Sequence, residues 1–248
     1  MVRLVCDLPM IVDIDIGNTR AKWRLSSEGS SIECGALDTR SEDWAVLESL
    51  RSHRPERVRV SNVAGADVAQ RVQHIVADTF GLNAEFAVAS RIVGEVVSGY
   101  EQPERLGVDR WLALLAGWEL FGSRCIVVDA GSALTFDFLD EQAMHLGGYI
   151  IPGQQMMLNS LFGGTSGVRA DASQAEGLSY GRNTDSAVHN GCLAMTVALI
   201  EKMIRAQGQG MTNLVLTGGD AESLLMHLPS SIVHVPDLVL DGLALALP

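Results

Sequence analysis

The chain lacks several features that would point to common functions. Its four cysteines, Cys6, Cys34, Cys125 and Cys192, form no C-x-x-C pair, so neither a zinc knuckle nor a dithiol redox centre is indicated. Scattered cysteines suit a reducing compartment, and a cytoplasmic location is expected. The six histidines show no metal-ligand spacing. Basic residues are few: 18 Lys and Arg stand against 30 Asp and Glu, a formal net charge of −12. Nucleic acid and membranes are therefore not expected partners. No apolar run approaches the ~20 residues of a membrane span. The opening MVRLVCDLPM is too short and too acidic for a signal peptide, and residues 1–9 are expected to carry little structure. There is no G-x-x-x-x-G-K-[ST] loop, which excludes a P-loop kinase as far as a motif can.

What is present is a chain of 248 residues, 47% hydrophobic, long enough for one large domain or two medium lobes. Alternation predicts strands over residues 10–15 and 20–25, joined by IGNT. A helix is predicted over 41–53, capped by Ser41, then a strand over 57–63 and an amphipathic helix over 66–80 ended by Gly81. A strand over 84–89 follows, then a loop, SGYEQPERLGVD. Trp111, Leu114, Leu115 and Trp118 lie at helical spacing and read as a core stripe. The pattern restarts after Gly122. CIVVDAG reads as a buried strand, LTFDFL and GGYIIPG as two more, and 186–207 as a long helix. NLVLTGGD, a short helix, SIVHV and a last helix over LVLDGLALAL complete the chain. His189, on the long helix, reads as a core or interface residue.

Two stretches repeat each other. IVDIDIGNTRAKWRL and IVVDAGSALTFDFL share a strand, Asp-x-Gly-[Asn/Ser], and a second strand. Asp15 and Asp129 stand about half a chain apart, which suggests a duplicated lobe. A glycine at the bend lets the backbone approach a ligand. Successive N–H groups there form an anion-binding concavity, Asn18 and Thr19 add donors, and Lys22 adds a point charge. An Asp at the strand end suits a hydrated Mg²⁺. The alternative for either copy alone is an ordinary tight hairpin.

The duplicated hairpin resembles the actin-like, sugar-kinase-like and Hsp70-like ATPase fold. The ordered set DIGNTRAK, GYEQPERLGVDR, VDAGSALT, GGYIIPG, NTDSAV and LTGGDA resembles, more narrowly, type III pantothenate kinase, between residues 15 and 221. The implied fold is α/β: two ribonuclease H-like lobes, residues 10–121 and 122–248, with an ATP cleft between them. The implied activity is ATP-dependent phosphorylation of pantothenate, the first step of coenzyme A synthesis. A regulatory protein on the same scaffold, or a kinase of another small hydroxylated acceptor, is the alternative.

The resemblance also implies roles. Asp15, Ile16, Gly17, Asn18, Thr19 and Lys22 hold the ATP phosphates, with Asp15 at Mg²⁺ through water. Asp109, in LGVDR, is the catalytic base; read alone, it is a helix cap. Arg110 pairs with the pantothenate carboxylate; its alternative is a solvated surface arginine. Tyr100, Gly107 and Val108 line the acceptor pocket, as does Thr184, which reaches the pocket of a partner subunit in a homodimer. Thr184 read alone caps its helix. Asp129 binds K⁺ or NH₄⁺. Ser132 stands where the family has threonine, keeping the hydroxyl for phosphate and losing a methyl. Gly218 and Gly219 approach the adenosine; a turn at a helix start is the alternative.

Overall fold

The computed structural model describes residues 9–41, 44–164, 177–206 and 213–248. The chain divides into two compact units. The first comprises residues up to Val93, Glu101–Ala116 and Val239–Pro248; the second comprises Gly94–Tyr100 and Gly117–Leu238. This division differs from the expected lobes 10–121 and 122–248, most of all in placing the last helix with the first unit. Among the described residues, no helix is long and apolar enough to cross a membrane.

The first unit is built on one sheet. Its strands are β1 (Met10–Ile16), β2 (Arg20–Ser27), β3 (Ser30–Asp38), β4 (Arg57–Asn62) and β5 (Ala84–Phe86), in the order β3-β2-β1-β4-β5. β1, β2 and β3 pair antiparallel, and β4 and β5 join parallel. The alternation in β1 buries Val12, Ile14 and Ile16 against α1 (Val46–Ser49), the 3-10 turn that follows it, and α2 (Ala66–Phe80). Each such aliphatic side chain contributes about 1.5–3 kcal/mol on burial. α2 starts and stops where the sequence places it. Its end is Gly81, at φ +72°, with its N–H on the Ala77 carbonyl.

Two expectations are corrected here, and one strand is added. The helix expected over 41–53 is a four-residue α-helix continued by a 3-10 turn, Leu50–His53, which Arg54 ends at φ +51°. Residues 42 and 43 lie outside the described residues. The strand expected over 84–89 stops at Phe86. β3 went unread because it is an exposed edge strand without clean alternation. It is reached through Glu28 and Gly29, both at positive φ, the turn geometry that suits a two-residue hairpin. Gly35 lets it pass over Trp23: a Cβ there would stand 2.8 Å from the indole.

Short strands β6 (Ile92–Val93) and β7 (Val96–Val97) precede α3 (Val108–Phe121). The second unit repeats the first. β8 (Cys125–Ala130), β9 (Ala133–Leu139), β10 (His145–Pro152), β11 (Asn213–Thr217) and β12 (Val233–His234) run in the order β10-β9-β8-β11-β12. That is the order of the first sheet, with the same antiparallel hairpin and parallel additions. Ile126, Val128, Phe136 and Leu216 pack against Leu193, Val197 and Ile200 of α5 (Thr184–Ala206) and Leu224 of α6 (Ala221–Leu225). α4 (Gln154–Gly164) went unread, its pattern blurred by polar residues and two glycines. Trp111 and His189 are buried, as the core reading expects. Burial pushes the Cys125 thiol up to about 12, which leaves it inert, whereas Cys34 is exposed on β3.

The last helix, α7 (Leu238–Ala246), belongs to the first unit for reasons visible in its contacts. A Cβ at Gly242 would stand 2.2 Å from the Leu112 carbonyl oxygen, so glycine permits the close approach to α3. Asp241 accepts from Arg24 at 2.5 Å, Arg59 donates to the Leu247 carbonyl at 3.1 Å, and Arg57 to that of Pro248 at 2.6 Å.

Candidate active site

In β1, Asp13 and Asp15 point to the face opposite the aliphatic core, because residues two apart share a face. Each has a neighbour on either side. Asp13 stands opposite Arg24 and Arg59, and Asp15 opposite Lys22 and Ser61. The two rows meet different fates. Asp13 is fully buried and fully paired: Arg59 Nε reaches Oδ1 at 2.7 Å, Arg59 Nη2 reaches Oδ2 at 3.1 Å, and Arg24 Nη2 reaches Oδ2 at 3.3 Å. Removing one partner of such a group costs about 3–5 kcal/mol, so this row fixes the strands to one another.

Asp15 is left incomplete. Its Oδ1 is buried without a hydrogen-bond partner. Burial pushes its carboxyl up to about 6, with the Asp109 charge adding to that, while the Ser61 hydroxyl and Lys22 pull the other way. The Ser61 hydroxyl pulls by proximity, since no bond of good geometry joins it to Asp15. A half-buried carboxylate with one sealed, unsatisfied oxygen, near a second carboxylate, has the chemistry of a cation site. A hydrated Mg²⁺ fits there. Among the described residues no group of three or more His, Cys, Asp and Glu forms a metal cage, so a metal would have to bring water or substrate oxygens with it.

The turn after Asp15 is closed by its own backbone. Gly17 N–H donates to the Arg20 carbonyl at 3.1 Å, and the buried Thr39 hydroxyl donates to the Gly17 carbonyl at 2.8 Å. Asn18 and Thr19 are exposed at the tip. The Ile16 side chain is in the core and its carbonyl accepts from Val63 N–H.

Asp109 lies in the first turn of α3. Its Oδ1 accepts from the Arg110 N–H at 2.8 Å. The cap position itself is Gly107, whose carbonyl accepts from Trp111 N–H. A Cβ on Gly107 would stand 2.6 Å from that same Oδ1. Glycine at 107 therefore makes room for the Asp109 carboxylate. Val108 opens the helix, partly exposed. Arg110 is 6% exposed, which removes the solvated-arginine alternative.

The second unit carries the matching turn. Asp129 stands opposite Thr135 and Thr217, hydroxyls where Asp15 has Lys22 and Ser61. Gly218, at φ +98°, lies against it: a Cβ would fall 2.5 Å from Asp129 Oδ1 and 2.4 Å from the Ala130 carbonyl. No side chain is tolerated there. Gly219 is exposed with open space above it, and Ser132 is exposed at the hairpin tip. Gly153 packs on the same hairpin: a Cβ there would stand 2.3 Å from the Gly131 carbonyl oxygen.

Two further residues expected at the site have different settings. Thr184 is exposed at the start of α5 and does not cap it. The cap is Asn183, whose Oδ1 accepts from Ser186 N–H at 2.8 Å. Tyr100 stacks on His145, ring centroids 5.8 Å apart and planes 13° from parallel. Asp15, Lys22, Gly107, Asp109 and Arg110 thus fall in the first unit, and Tyr100, Asp129, Ser132, Thr184, Gly218 and Gly219 in the second. The Asp13 clamp, Ser61 and His145 were missed. Their partners lie far away in sequence, and no local signal names them.

The family model for type III pantothenate kinase matches residues 11–206. A type III pantothenate kinase from Alcanivorax borkumensis is 35% identical over 239 residues, 94% of this chain and 97% of that protein. Among solved structures, a Baf family protein from Campylobacter jejuni, described as a transcriptional activator, aligns with a TM-score of 0.61 at 19% identity, over 94% of this chain and 95% of that one. The ethanolamine utilization protein EutJ from Carboxydothermus hydrogenoformans aligns with a TM-score of 0.52 at 14% identity, over 96% and 89%. Those two likenesses bear on fold alone, and agree with the duplicated sheets of the actin, Hsp70 and sugar-kinase type. The extent and identity of the sequence match decide the family: the chain belongs to the type III pantothenate kinases.

Proposed function

We propose that this protein transfers the γ-phosphoryl group of ATP to the primary hydroxyl of pantothenate, giving 4′-phosphopantothenate for coenzyme A synthesis. The observation that carries the reading is the unsatisfied, buried Asp15 oxygen beside Asp109, in a chain of this family. Gly17, Asn18, Thr19 and Lys22 take the phosphates, with Ser132 from the second hairpin. Gly218 and Gly219 let backbone approach the adenosine. Asp15 would hold a hydrated Mg²⁺, which would supply neutralisation of phosphate charge.

Asp109 orients the acceptor hydroxyl and accepts its proton as the oxygen attacks phosphorus. A bond forms between that oxygen and the γ-phosphorus, and the bond to the β–γ bridging oxygen breaks, releasing ADP. Arg110, held buried at the start of α3, pairs with the pantothenate carboxylate. Tyr100, Gly107, Val108 and Thr184 line the acceptor pocket, Thr184 reaching the pocket of a partner in a homodimer. The net charge of −12 counts against nucleic acid and anionic membrane as partners and requires that the anionic substrates be held by local donors, while the scattered cysteines suit the cytoplasm.

Asp129 stands opposite Thr135 and Thr217 in the sheet, and the likeness to type III pantothenate kinases supports it as the ligand of a monovalent cation, K⁺ or NH₄⁺. Turnover is therefore expected to be faster in K⁺ than in Na⁺ at equal ionic strength. Equal initial rates in the two salts would remove Asp129 from that role. The activity itself is tested by following phosphopantothenate by mass; ATP bound without product would leave the fold and remove the function.

A further inference from the structure

We propose that the buried His145–Asp137 pair is a positioning platform for Tyr100, and through it for the acceptor. The inference rests on the reading of Tyr100 as an acceptor contact. His145 Nε2 lies 2.9 Å from Asp137 Oδ1, and their side chains are 0% and 2% exposed. A sealed ionisable pair is no better a core filler than apolar residues of equal size. What a carboxylate does supply to an imidazole is orientation. The oriented ring is the surface on which the half-buried Tyr100 stacks, in the near-parallel geometry that suits aromatic pairs.

The backbone is shaped around this stack. β10 carries an irregularity between His145 and Gly148. It leaves Gly148, with no side chain, directly opposite Asp137, so the imidazole has room to reach the carboxylate from the diagonal position. Gly99 lets the segment before Tyr100 press on β10, since a Cβ there would stand 1.8 Å from the His145 carbonyl oxygen. Asp137 shares its sheet face with Thr135, the neighbour of Asp129. The platform is thus fixed to the strand that also builds the second phosphate turn. His145 and Asp137 touch no reacting atom; they act through Tyr100.

The test is steady-state kinetics of the full chain, varying pantothenate and ATP separately. In His145→Asn with Asp137→Asn, an amide pair replaces the ring and keeps a hydrogen bond. Its KM for pantothenate is expected to rise about tenfold, the scale of a lost aromatic contact, with KM for ATP within about twofold. His145→Phe with Asp137→Leu restores a flat ring without charge and is expected to return KM to within about threefold of the parent. If the amide pair does not fold, His145→Gln replaces it, keeping a donor for Asp137 but no flat ring. Tyr100→Ala is measured alongside. An unchanged pantothenate KM in the ring-less variant, with a raised one in Tyr100→Ala, would overturn the platform alone. An unchanged KM in Tyr100→Ala would overturn the reading of Tyr100 and the platform with it.

Discussion

Replacing Asp109 with Asn is expected to lower kcat by about a thousandfold while ATP affinity stays within about twofold. The asparagine keeps the shape of the side chain and an oxygen for the Arg110 N–H, so the start of α3 is preserved. It cannot take the proton of the attacking hydroxyl. The setting of Asp109 suits that task. Gly107 clears space for its carboxylate, and the neighbouring Asp15 raises the cost of having both groups ionised. The check is single-turnover product formation together with nucleotide binding by calorimetry. Turnover near the parent rate would remove Asp109 as the base.

The second large effect concerns Asp15 and pH. Its folded-state value of about 6 lies above the ordinary 3.8, so the native protein holds this proton more tightly than the unfolded chain does. The associated stability is fully present below about pH 4 and is lost as pH rises through 6. A shift of this size amounts to roughly 2–3 kcal/mol. Metal-free protein is therefore expected to lose that much unfolding free energy between about pH 4 and 7, relative to Asp15→Asn, which has no such proton. A Mg²⁺ ion held by Asp15 would favour the ionised carboxylate, so Mg²⁺ affinity of the parent protein is expected to rise over the same interval. Parallel pH profiles for the parent and Asp15→Asn would show that Asp15 titrates normally and that the incomplete row is not a cation site.

Much of the architecture was legible because the two hairpins are written in local signals. The alternation in MIVDIDI, the IGNT turn and their second copy predicted the strands that form β1, β2, β8 and β9. The same periodicity placed α2 and α5, and Gly81 marked an end that the backbone then requires. Edge strand β3 carried little pattern, because almost nothing on it is buried. The return of α7 to the first unit was invisible for another reason. It depends on Asp241 meeting Arg24, 217 residues away in the chain, and on a glycine contact with Leu112.

The candidate site shows the same divide. Asp13 and Asp15 look alike in sequence, two residues apart on one face of one strand. Only the sheet register separates them: Arg59 comes opposite Asp13 and closes it, whereas Ser61 comes opposite Asp15 and leaves an oxygen free. The Asp109 helix start was legible, but the reason for Gly107 is a distance to a carboxylate that no spacing encodes. Thr184 shows how a plausible local role can belong to a neighbour, since Asn183 makes the cap.

The most direct test of the central claim is ADP release by the purified protein with Mg·ATP and K⁺, with and without pantothenate. The account predicts a pantothenate-dependent rate that disappears in Asp109→Asn. A rate that ignores pantothenate, or no rate while ATP still binds, would contradict it.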